Sequence, residues 1–283
     1  MERFVAQAQA LGGNATCDGP ATRAARAALQ ATLKPPVTRR RRIAAPLLLV
    51  IALLLPLALV LRAFPPAELL ADLRTATGEQ RTQVLADGTR LSLGSGSAVN
   101  VGLAPGLRRL ELLNGEILVD VAKDAARPFV VETAHGRIRA LGTRFLVRRD
   151  AGSTLLTMLE STTAVTAGGQ TAGEVHVDAG GQVRLSARGV ERLADVHTGM
   201  AGDAFEHQRL LVQDRPLPEV LDELARHRRG VIRYERERLA GIRVSAVLPL
   251  DDTDRALQLL VDSFPQLRVR TATAWVVLVD TAR

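Results

Sequence analysis

The longest apolar run is Ile43 to Leu61, IAAPLLLVIALLLPLALVL, without a charged or hydrogen-bonding side chain. As a helix at ~1.5 Å per residue it would reach about 28 Å, close to the ~30 Å thickness of a bilayer's hydrocarbon. No polar face interrupts it, so the pattern predicts a membrane-spanning helix with Pro46 in its first turn and a kink at Pro56. A cleaved signal peptide is the competing expectation. Its apolar region is typically ~7–15 residues and ends at a small-x-small site, which Leu61-Arg62-Ala63-Phe64-Pro65-Pro66 lacks.

Beyond the run, the pattern switches to short alternating stretches. Gln83 to Ala86 meets Asp87-Gly88 and then Thr89 to Leu93. Leu107 to Leu113 meets Asn114-Gly115 and then Glu116 to Val121, and Phe129 to Thr133 meets His135-Gly136 and then Arg137 to Leu141. Asp-Gly and Asn-Gly supply the positive φ angles of two-residue hairpins. Such spacing, with no helical period between, predicts an antiparallel β sandwich or roll.

After Gly189 to Ala204 the rhythm changes again. Strands are expected at Arg209 to Val212, Val231 to Tyr234 and Ile242 to Val247, with helices from Pro218 to His227 and after the capping pair Asp251-Asp252. Leu267 to Arg270 and Trp275 to Val279 close a small α+β domain of duplicated βαβ form. The expected organisation is a tail over 1–42, a span over 43–61 and a linker over 62–74. A β domain over 75–188, a second linker over 189–204 and an α+β domain over 205–283 complete it. The fold class expected is therefore a single transmembrane helix, an all-β antiparallel sandwich or roll, and a small α+β C-terminal domain.

Charge gives the span a direction. The chain carries a net +7, but residues 1–42 hold eight basic residues against Glu2 and Asp18, leaving 29 basic against 28 acidic in the remaining 241. With one Tyr and one Trp, the balanced part lacks the footprint of direct nucleic-acid binding. Arg39, Arg40, Arg41 and Arg42 abut one end of the apolar run and only Arg62 the other, which places 1–42 in the cytoplasm and the bulk in the periplasm. Cys17, the single cysteine, then falls on the reducing side, and no disulfide within the chain can form.

Catalytic signatures are missing. The five histidines show no i, i+4 pairing, Gly94-Ser95-Gly96 lacks the lysine of a phosphate loop, and no GxSxG occurs. No enzyme activity, metal or cofactor is expected.

Five segments in order resemble the FecR family of inner-membrane signal regulators. They are Thr77-Gly78-Glu79-Gln80-Arg81, Leu85-Ala86-Asp87-Gly88-Thr89 and Leu113-Asn114-Gly115-Glu116, then Arg127-Pro128-Phe129-Val130-Val131-Glu132-Thr133 and Leu141-Gly142-Thr143-Arg144-Phe145-Leu146-Val147. The family-motif residues carried over are Gly78, Glu79, Asp87, Gly88, Gly115, Glu116, Arg127, Pro128, Phe129, Gly142, Thr143 and Phe145. The stretch from Pro216 to Arg226 resembles the family's C-terminal module, similar to the short N-terminal (STN) domain of secretins and TonB receptors. Ser161 stands where a glycine is usual, Phe205 where a tryptophan is, and His227 where a tyrosine is.

The resemblance implies a transducer that regulates an extracytoplasmic-function sigma factor through residues 1–42. Its input would be the signalling domain of a TonB-dependent outer-membrane receptor, of the iron-siderophore type. An intramembrane protease is a further implied partner. Leu217, Val220, Leu221 and Leu224 are the implied receptor contacts, and the same four apolar side chains equally suit a packed core. The tail is shorter than the family's usual one and has no tryptophan. That departure leaves a membrane-tethered periplasmic binding or scaffold protein, without cytoplasmic output, as the alternative.

Overall fold

The computed structural model describes residue 54 and residues 66–281, apart from 105, 125, 169–172 and 274. After a short helix α1 (Pro66–Leu69), thirteen strands follow in one extended sheet. They are β1 (Leu73–Arg74), β2 (Arg81–Val84), β3 (Arg90–Leu93), β4 (Ala98–Ala104), β5 (Leu107–Asp120), β6 (Phe129–Thr133) and β7 (Gly136–Ala140). Next come β8 (Arg144–Arg149), β9 (Thr154–Glu160), β10 (Thr162–Ala167), β11 (Val175–Asp178), β12 (Gln182–Ser186) and β13 (Gly189–Arg192).

Strand β5 organises the roll. Its first half pairs with β4 and, in parallel, with β6; its second half pairs with β3 and β8. Arg108, Leu110 and Leu112 point inward at even positions, yet Ile117 and Val119 point inward at odd ones. Side chains alternate with a period of two, so the change of parity demands one extra residue. The register shifts there: Val99 pairs with Leu112 while Ala98 pairs with Asn114. Asn114-Gly115 is thus a bulge inside one bent strand and not the expected hairpin, with Gly115 at φ 90°. The Asp87-Gly88 turn is a hairpin, joining Val84 and Arg90 with Gly88 at φ 85°. Leu91, Leu93, Leu110, Phe129, Ile138, Phe145 and Met158 fill the interior.

Ser161, between β9 and β10, has φ 63°. A non-glycine residue pays ~1–2 kcal/mol there, partly offset in glycine by a more flexible unfolded chain. Ser161→Gly is expected to stabilise the protein by about 0.5–1 kcal/mol, read as a midpoint rise of ~2–4 °C in thermal unfolding.

The span 189–204, expected as a linker, carries β13 and most of helix α2 (Thr198–Glu206). This helix escapes the sequence pattern because it is short and glycine-containing. Gly202 is buried, and a Cβ there would stand 3.2 Å from Leu159 Cδ1, so only a small residue lets α2 approach β9. It covers an outer apolar patch of the roll, where Leu118, Leu146 and Leu159 meet Ala201 and Phe205.

The C-terminal segment contains β14 (Arg209–Pro216), α3 (Leu217–His227), β15 (Val231–Tyr234), α4 (Arg236–Leu239), β16 (Arg243–Pro249), α5 (Thr253–Ser263), β17 (Leu267–Thr273) and β18 (Val276–Thr281). Asp252 caps α5, its carboxylate accepting from Arg255 N at 2.9 Å.

The expected fold class does not hold. Among the described residues no helix is long and apolar enough to cross a membrane, and the run 43–61, Leu54 apart, lies outside them. Nor do the described residues set apart a separate α+β domain of STN type. Residues 64–283 form one compact, mainly β unit. A βαβ repeat requires its two strands to lie parallel in one sheet. Here β14 pairs with β16, while β15 pairs with β18 and β17 with β18, giving separate sheets of two and three strands.

Candidate partner-binding cleft

Most family-motif residues build a scaffold rather than a surface. Their centre is Arg108, a buried arginine the sequence reading passed over. Its guanidinium donates to Asp87 at 3.1 Å, to the Ala122 carbonyl at 2.9 Å and to the Arg127 carbonyl at 2.7 Å, and lies 5.6 Å from the Phe129 ring centre. Asp87 also accepts from Thr89 N and Oγ1. Burial opposes ionisation of Asp87, but the hydrogen bonds from Thr89 and Arg108, and the charge of Arg108, outweigh it and hold the carboxyl below 3.8.

The other motif positions are structural too. Glu79 accepts from Ala76 N at 2.8 Å, closing its own turn. The Arg127 side chain is held by Asp124, and the Pro128 carbonyl accepts from Arg108 N. Phe129 and Phe145 are fully buried, as is nearly all of Thr143, whose carbonyl accepts from Val121 N at 3.0 Å. Gly88 and Gly142 adopt positive φ, and a Cβ on Gly142 would stand 2.7 Å from Lys123 Cγ. Gly78 differs in position: with φ 79°, it lies where a Cβ would stand 3.1 Å from the His227 carbonyl, at the junction with α3.

Leu217, Val220, Leu221 and Leu224, the implied receptor contacts, are 0% exposed. They pack with Ile232, Val244, Leu248, Leu257 and Leu260 and present no surface to a partner. The spacing that marks an amphipathic helix identifies the face it buries, here the inner one. Arg39, Arg40, Arg41 and Arg42 lie outside the described residues.

The charged side chains of α3 join it to the roll instead. Glu223, nearly buried on the flank of that apolar face, meets Arg148 of β8 at 3.0 Å, and Arg226 pairs with Asp150. Ser95 Oγ donates to the Arg226 carbonyl at 2.8 Å and accepts from Gly78 N at 2.9 Å. Gln80 Nε2 donates to the Phe205 carbonyl at 3.0 Å, and Arg144 pairs with Glu206 at 2.6 Å. These contacts edge a cavity of about 440 Å³, bounded by β5, β8, α2, β14 and α3. Glu116, the last residue of the Leu-Asn-Gly-Glu segment, lines it beside Arg148, Glu223 and His227. Leu146, Phe205, Leu210, Leu211 and Leu250 supply its apolar walls.

Burial, reinforced by Glu223 and Asp150 and countered by Arg148 and Arg226, pushes the Glu116 carboxyl up to about 7. Burial lowers His227, against the pull of Glu223. A carboxyl raised in the folded state contributes stability that is fully present below its unfolded value and lost as pH rises through about 7. The difference in stability between the wild type and Glu116→Gln is therefore expected to shift against the wild type by about 1–3 kcal/mol between pH 5 and pH 8. Denaturant titration at both pH values checks this. Comparison with the glutamine variant cancels His227, whose lowered value acts with the opposite slope.

Sequence comparison matches residues 71–164 to the FecR protein family. No curated protein matches the chain. Among solved structures, two crystal structures of a candidate anti-sigma factor from Parabacteroides distasonis ATCC 8503, at 2.50 and 1.65 Å, share the fold. Each superposes with a TM-score of 0.62 at 16% identity, over 75% of this chain and 98% or 99% of the other.

Proposed function

We propose, from the match of residues 71–164 to the FecR family, that this chain is a sigma-factor regulator. That family match is the observation that carries the proposal. The fold shared with a candidate anti-sigma factor supports it. The finer proposal is that residues 1–42 bind an extracytoplasmic-function sigma factor, with the protein at the inner membrane and 64–283 on its periplasmic side. The imbalance of Arg39 to Arg42 against Arg62 supports that placement. The input proposed is the signalling domain of a TonB-dependent receptor of iron-siderophore type, with an intramembrane protease releasing the tail.

The protein works in this account without chemistry of its own. The junction of the roll with α2 and α3 combines the apolar contact of Ala201 and Phe205 with the nearly buried Arg148–Glu223 pair, two partly exposed ion pairs and two side-chain hydrogen bonds, the last four worth ~1 kcal/mol or less each. A partner that docks better on one arrangement of this junction than on another shifts the population by its difference in affinity and by nothing else. A two-hybrid assay between residues 1–42 and each extracytoplasmic-function sigma factor of the same organism tests the output. Interaction abolished by deleting residues 20–34 is expected; no interaction overturns the sigma-binding role of the tail.

A further inference from the structure

We propose that the cavity between the roll and α3 binds a small organic cation with an apolar stem, an alkylammonium or alkylguanidinium, whose charged head pairs with Glu116. The inference rests on the geometry of the cleft and not on the sigma-factor proposal.

The charges that β8 and α3 bring to the cavity are already committed, whereas that of Glu116 is not. From β8, Arg148 is held by Glu223 at 3.0 Å, and Asp150 beyond it is held by Arg226. From α3, His227 lies 4.0 Å from Glu223, and burial favours its neutral form. From β14, Arg215 is held by Glu219 at 3.2 Å; Arg209 and, ahead of α2, Asp195 and His197 also line the cavity, Arg209 and Asp195 adding no net charge. Glu116, from β5, makes no side-chain hydrogen bond or ion pair among the described residues. With Glu116 ionised, the inner group of Glu116, Glu223 and Arg148 carries one uncompensated negative charge; a cation supplies the missing counter-charge. A volume of about 440 Å³ lies in the range of small-molecule sites. Leu146, Phe205, Leu210 and Leu211 give a methylene stem an apolar wall, as the stems of lysine and arginine use elsewhere.

Binding converts the Glu116 carboxylic acid to the carboxylate, and its proton goes to solvent. Isothermal titration of the full-length protein with agmatine at pH 6, 7 and 8 tests this. Affinity is expected to rise several-fold, up to tenfold, from pH 6 to pH 7 and to level off by pH 8. Titrations in buffers of different ionisation enthalpy should show release of up to one proton at pH 6. Glu116→Gln should bind at least tenfold more weakly at pH 8 while keeping the wild-type unfolding midpoint at pH 5. A capped glycine-arginine-glycine peptide identifies the source of the cation: a protein side chain binds in both forms, a free amine only as agmatine. Absence of agmatine binding at millimolar concentration, or affinity indifferent to pH and to Glu116→Gln, overturns the proposal and leaves sigma-factor regulation untouched.

Discussion

Arg108→Met is expected to destabilise the folded unit by about 3–5 kcal/mol, lowering the thermal midpoint by ~10 °C or more. The guanidinium is 1% exposed and Asp87 5%, so removing one leaves the other as a buried charge without its partner. The carbonyls of Ala122 and Arg127 lose their donor in the same step. Methionine fills the volume against Phe129 but donates nothing. Arg108→Lys is expected to recover only a small part of the loss, because one ammonium cannot span three acceptors that a planar fork reaches together. Differential scanning calorimetry of the three proteins measures both effects. A midpoint for Arg108→Met within 2 °C of the wild type would mean that the Arg108 cluster does not hold the roll.

A second large effect is expected at the bend of β5. Gly115 has φ 90°, and a Cβ there would stand 2.5 Å from Ser97 Cα and closer still to Ser97 Oγ. Ser97 cannot withdraw, because its Oγ donates to the Glu116 carbonyl at 2.9 Å and accepts from Glu116 N at 3.0 Å. Gly115→Ala therefore combines a strained backbone with a clash against main chain, together about 3–5 kcal/mol. Gly96 separates the two contributions. It has φ 60° but nothing within 4 Å of a Cβ, so Gly96→Ala is expected to cost only ~1–2 kcal/mol. Equal losses for the two variants in urea titrations would remove the close approach as the cause.

The same bend shows where sequence patterns stop being legible. Asn114-Gly115 signals positive φ correctly, yet a bulge needs that conformation as much as a hairpin does. The inward positions of β5 distinguish them: Leu110 and Leu112 are even, Ile117 and Val119 odd, a parity break visible in the bare sequence. Arg108 was legible by the same logic, as a charge at an inward position of the alternation. The Asp87-Gly88 hairpin was read directly because short, local turn chemistry decides it. Pairing of β14 with β16 and of β15 with β18 was not, since partners 27 residues or more apart are chosen by packing rather than by neighbours. The ion pairs that α3 makes with the roll were not legible for a related reason. Apolar periodicity draws attention to Leu217, Val220, Leu221 and Leu224, which build the core, while Glu223 and Arg226 acquire meaning only from Arg148 and Asp150 some 75 residues earlier.

Two layers of the family motif thus separate. Asp87, Arg127, Phe129 and their neighbours hold the roll, whereas Gly78 and Glu116 lie at its junction with α3. Substitutions in the first layer are expected to act through the stability of the roll, and those in the second on the contact between the roll and α3.

Sigma-factor regulation is tested most directly by transcript levels from a promoter served by an extracytoplasmic-function sigma factor of the same organism. They would be measured in the parent strain, in a strain lacking this chain, and in that strain carrying the full-length gene. The account predicts a several-fold change on deletion, in either direction, restored by the full-length gene. Equal transcript in all three strains, with the sigma factor present and active, would contradict it.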